Sequence, residues 1–134
     1  MASSLRGRLI RLADRHPGSV RSALLSLLAS DATRLEALAQ VLRETPLGRR
    51  QTVTASPRLI VVGWIVPLSD PYLDREAERE FRHEMRHEHE LARKALKPAL
   101  LPFQDMIEAV GYGDEGMTAV DGWWRLVANI NLKR

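Results

Sequence analysis

Two histidines four residues apart, with a glutamate after the first, give this chain its one enzyme-like signature: His83-Glu84-Met85-Arg86-His87. On a helix, side chains at i and i+4 share a face, so the two imidazoles can hold one Zn²⁺ while Glu84 polarises the metal-bound water. The chemistry implied is metal-assisted hydrolysis, with His83 and His87 as ligands and Glu84 as general base. A third protein ligand is required. Glu108, on the next element, is a formal candidate, and His89 lies on the same helix but on another face.

The element that must carry these residues argues against that chemistry. On a helical wheel, Phe81, Met85, Ala92 and Leu96 form one apolar stripe, with Ala77 and Ala95 on its edge. His83 and His87 fall on the opposite side, among Glu76, Glu80, Glu90 and Lys94. A catalytic zinc helix places its histidines toward a shielded cleft, whereas this pair is expected to face water. The flanks are charged as well, with Arg86 inside the motif and Glu88 after it. Six Glu, three His and three Arg crowd residues 76–90, a composition in which H-E-x-x-H arises cheaply. The expectation is a solvated face that holds no metal and no other cofactor.

Arginine is the other chemistry-bearing residue. Residues 1–50 hold nine Arg against four acids, and the remaining residues hold eleven Lys/Arg against thirteen acids. On the charged helix, Arg79, Arg82, Arg86 and Arg93 form a basic stripe beside the acidic and histidine face, with Glu76–Arg79, Glu78–Arg82 and Glu90–Lys94 as the spacings for ion pairs. With Arg49 and Arg50 they are the candidates for binding an anionic group or a partner. Cysteine is absent, which removes disulfides, thiolate metal sites and a Cys nucleophile. It also fits a reducing compartment such as the cytoplasm. The longest apolar run, Leu59–Val66, is far too short to span a bilayer and reads as a buried strand, so no membrane role is expected.

The elements follow from periodicity. Helices are predicted over 5–15, 19–28 and 33–44, separated by Pro17-Gly18 and Ser30-Asp31 and closed by Thr45-Pro46. His16 falls at the end of the first. The pattern then becomes β-like over 51–54 and 59–66, a hairpin. Asp70-Pro71 reads as the cap and first residue of the charged helix. Pro98 is expected to kink or restart it, giving a helix pair over 71–110 whose second half carries Phe103, Met106, Ile107 and Val110. Residues 111–116 read as a glycine-rich loop. Asp121-Gly122 between Met117–Val120 and Trp123–Ile130 signals a second hairpin. The expected fold is α+β: an N-terminal three-helix segment, a β-hairpin, a long kinked helix pair and a C-terminal β-hairpin. It divides into a basic helical segment, 1–46, and an α+β domain, 47–134, of order ββ-α-α-ββ.

The run Leu5-Arg6-Gly7-Arg8-Leu9-Ile10-Arg11-Leu12-Ala13, followed by Pro17 and by Leu24-Leu25-Ser26-Leu27-Leu28, resembles a short helical module at the N-termini of phage and bacterial proteins. The resemblance covers about the first 30 residues and brings no catalytic residue. It implies a virion or assembly component, and hence location in a virion or in the cytoplasm.

Three functions compete on these residues. The first is a non-enzymatic structural, assembly or protein–protein interaction protein, self-associating or binding a protein partner. The second is nucleic-acid binding, because three short helices and a hairpin follow the order of a winged helix. Helix 33–44 would then be the reader and Arg49, Arg50 and Arg58 would flank the wing, although Glu36 and Glu44 repel phosphate. The third is the zinc hydrolase. The first is preferred.

Overall fold

A computed structural model describes residues 31–133. The predicted helices over 5–15 and 19–28 and His16 lie outside the described residues. The order is α1 (Asp31–Glu44), β1 (Arg49–Ala55), β2 (Leu59–Pro67), α2 (Arg75–Leu100), a short 3₁₀ helix (Leu101–Met106), β3 (Ile107–Met117) and β4 (Trp123–Leu132). The strands form one antiparallel sheet in the order β1-β2-β4-β3. The described fold is therefore α+β.

Strand alternation sets the layers. Val66 pairs with Trp124, Trp64 with Leu126, Val62 with Ala128 and Ile60 with Ile130, and all eight are buried on the face that carries the helices. Residues of the other parity, Leu59, Val61, Ile65 and Arg125, point to the opposite face and are half-buried. On that face the Arg125 side chain crosses Gly63 to reach the Thr52 hydroxyl, and its Nε donates to Glu115 Oε2 at 3.2 Å. A side chain at residue 63 would occupy the path of the guanidinium, which accounts for the glycine.

The helices close the core from one side. Leu38 and Leu42 of α1 and Leu96 of α2 are fully buried and join the sheet residues in one cluster, with Phe103 of the 3₁₀ helix beside them. The expected boundary between residues 46 and 47 falls in a loop whose two flanks share this cluster. Phe81 packs on Trp124 with ring centroids 4.6 Å apart and planes inclined at 55°. Such tilted pairs add about 0.5–1.5 kcal/mol beyond the area they bury.

Three expectations need correction. First, α2 runs through Pro98 to Leu100 as one helix. Pro98 has no N–H to give the Lys94 carbonyl, so one intrahelical bond is missing there, yet the helix continues and Leu101 N still donates to Lys97 O. Second, Ile107–Val110 are not helical. They begin β3, which also absorbs the expected loop 111–116. Third, α2 is capped by Asp74, whose carboxylate accepts from Ala77 N at 2.7 Å. Asp70 instead accepts from Tyr72 N, turning the chain before the helix.

Candidate interaction surface

The H-E-x-x-H residues are separated in role by the structure. His83 and His87 are exposed on α2, on the side away from the sheet. Glu84 is half-buried and engaged by the loop before the helix: Ser69 N donates to its Oε2 at 2.8 Å and Ser69 Oγ to its Oε1 at 2.7 Å. Both carboxylate oxygens are thereby used to tie the chain leaving β2 onto α2. Glu108 lies exposed on β3. His89, one turn on, faces β3, where its Nε2 lies 3.0 Å from the Gly113 carbonyl oxygen. A carbonyl only accepts, so that nitrogen carries the proton. Among the described residues no group of three or more His, Asp or Glu is arranged to hold a metal.

The arginine candidates also divide. Arg82 pairs with Glu78 at 2.6 Å. Arg93 takes Glu90 through two hydrogen bonds, so Glu90 chooses it over Lys94. That hydrogen bonding lowers the Glu90 carboxyl and raises the Arg93 guanidinium from their ordinary pKa values. Arg79 and Arg86 are exposed and form no ion pair among the described residues. On α1, Arg34 is committed to the 3₁₀ helix, holding Asp105 through two bonds of 2.6 Å.

Arg49 and Arg50 stand in a different setting. A β-bulge near the start of β1 sets Arg50 and Gln51 opposite the single residue Trp64. Arg50 has φ of 49°, a left-handed conformation that costs energy for a residue with a side chain. The inserted step lets Gln51 turn toward the end of α1. There its Nε2 donates to the Leu42 and Thr45 carbonyls at 3.0 and 2.7 Å, and its Oε1 accepts from Leu47 N at 2.8 Å. The Arg49 guanidinium lies 5.2 Å from the Trp123 ring centroid, a cation–π contact. With Ile65, Val120 and Thr118, these residues line a hollow of about 220 Å³.

This hollow opens at an apolar end of the molecule. The β3–β4 turn exposes Met117 by 48% and Val120 by 54%. Leu68 N donates to Gly122 O at 2.9 Å, fastening the loop after β2 to that turn. Within the same loop Tyr72 is 79% and Leu73 75% exposed. These are values for residues with almost no packing, and they exceed those of the other exposed large apolar side chains, Leu91 and Leu101. Arg49 and Arg50 line the hollow with Val120, and exposed Asp121 follows Val120 in the turn. Around Tyr72 and Leu73 in sequence, exposed Asp70, Asp74, Glu76 and Glu80 alternate with exposed Arg75 and Arg79.

No family model, curated protein or solved structure matches the chain.

The sequence singled out Arg49 and Arg50 as candidates but not Trp123, Val120, Tyr72 or Leu73, which the structure places at this end. A signal for the last two was present: an adjacent apolar pair inside a loop bounded by Asp70 and Asp74, where periodicity offers no face to bury it.

Proposed function

We propose that this chain is a non-enzymatic assembly protein whose copies associate through the end formed by Tyr72, Leu73, Met117 and Val120. The observation that carries the reading is the exposure of these four large apolar side chains. Charges of both signs accompany them: Arg49 and Arg50 line the hollow with Val120, and Asp70, Asp74, Glu76 and Glu80 surround Tyr72 and Leu73 in sequence, with Arg75 and Arg79 among them. A twofold axis through these side chains would let Arg49 and Arg50 of each copy meet the carboxylates of the other copy's 70–80 segment, the self-complementarity that an isologous contact requires. Burial of the four apolar side chains would supply the driving force, and the charges would fix orientation. The mixed-charge face of α2 and the likeness of residues 1–30 to modules of phage and bacterial proteins support placing the chain in a multi-subunit particle, in a virion or the cytoplasm.

Complementary variants test the pairing. Arg49→Glu with Arg50→Glu makes both flanks acidic, and Glu76→Lys with Glu80→Lys makes both basic. Each double variant alone is expected to lose self-association, and an equimolar mixture of the two to recover it as a heterodimer. A mixture that stays as dissociated as its components would refute the arrangement.

A further inference from the structure

At the opposite end of the sheet, a hollow of about 620 Å³ lies between the start of α1 and the 3₁₀ helix. Its volume falls in the range of small-molecule sites, roughly 300–1,000 Å³. The walls are apolar: Leu35 from α1, Met106 from the 3₁₀ helix, Leu132 from β4 and Pro57 from the β1–β2 turn. The charged groups are three cations, Arg34, Arg58 and Lys133, against one carboxylate, Asp105. Arg34 and Asp105 engage each other across the gap between α1 and the 3₁₀ helix, so this ion pair braces the two walls. The hydrogen-bonded Arg34 guanidinium holds the Asp105 carboxyl below the usual carboxylate range.

Arg58 and Lys133 remain. Neither forms an ion pair among the described residues, although the Lys133 charge also helps to lower the Asp105 carboxyl. Their backbones are held by the hollow's own walls: Leu132 N donates to Arg58 O, and Lys133 N to Met106 O, both at 2.9 Å. Two cations are thus anchored beside an apolar cavity whose one acid is already neutralised. That is the complement of a molecule with an apolar body and an anionic head.

We propose that this hollow binds an amphipathic organic anion, an acyl or aryl body carrying one carboxylate or phosphate head. The body lies on Leu35, Met106 and Leu132, and the head is paired by Arg58 and Lys133. The site is independent of the self-association surface, which lies at the other end of β2 and β4.

Titration of the full chain with decanoate, decyl phosphate and decanol, followed by backbone amide shifts, tests this. At least one anion is expected to bind saturably and shift the amides of Leu35, Met106 and Leu132, with decanol weaker by about ten-fold or more. Which anion binds tighter identifies the head group. Arg58→Ala and Lys133→Ala change exposed side chains and are expected to leave the fold intact while each weakens anion binding by about ten-fold. The proposal is overturned by equal affinity for decanol, by undiminished binding in the double variant, or by absence of shifts around the hollow.

Discussion

At the scale of single residues, Glu84 shows how a motif and its use can part. Its carboxylate spans Ser69 N and Ser69 Oγ, two bonds that fasten the loop before α2. Glu84→Ala is therefore expected to destabilise the fold by about 1–3 kcal/mol, because a charge-assisted pair is lost and a half-buried donor is left unmet. His83→Ala, on an exposed site, should lie within about 0.5 kcal/mol of the parent. Thermal unfolding with and without a zinc chelator checks both. A large loss in His83→Ala matched by chelation would restore the metal reading. Tyr112 offers a second test. Burial is the main cause raising its phenol above the ordinary value, with the Arg93 charge opposing and the Glu90 charge adding. A raised folded-state pKa means stability is full below the unfolded phenol's value, about 10, and falls as pH rises through the folded one. In a Tyr72→Phe background, ultraviolet titration should show Tyr112 ionising late, with stability falling over the same alkaline range. A normal midpoint would contradict the burial. The sequence revealed which side of α2 is polar, because periodicity is local. It could not reveal the Glu84–Ser69 tie, which joins residues fifteen apart through a loop of its own geometry.

Among the elements, α1 was legible from its helical period, β2 from an unbroken apolar run, β1 from β-favouring residues across a short turn from it, and β4 from the Asp121-Gly122 turn before it. β3 was not, and a bulge is the reason. Ile107 pairs with Leu132 but Ala109 with Asn131, so Glu108 is an inserted residue. That insertion lets Ile107 and Val110, three apart, face the same side, imitating a helical spacing. A second irregularity between Asp114 and Gly116 hides the rest of the strand, with Gly116 at φ of 91° supplying a conformation other residues avoid. The bulge in β1 has the opposite value for the fold, since it turns Gln51 onto the end of α1. Gln51→Ala should cost about 2–3 kcal/mol, because it strands two carbonyls and one amide that are part-buried. Denaturant unfolding would reveal it, and a change below about 0.5 kcal/mol would show that water replaces the side chain without penalty.

For the whole molecule, one core unites α1, α2 and four strands, and the two ends of the sheet differ in chemistry. One end holds an apolar hollow with anchored cations. The other leaves four large apolar side chains in solvent among charges of both signs. Among the described residues no helix is long and apolar enough to cross a membrane, so a bilayer-spanning helix does not account for that exposure. The proposed association between copies would account for it, and that proposal predicts a dependence on concentration. The most direct measurement is the mass of the full chain by light scattering over a wide concentration range, beside a Leu73→Asp, Val120→Asp variant. The parent should shift from monomer to dimer as concentration rises, and the variant, altered only at exposed positions, should stay monomeric with unchanged unfolding. A parent that remains monomeric throughout, or a variant that associates equally well, would contradict the assembly reading.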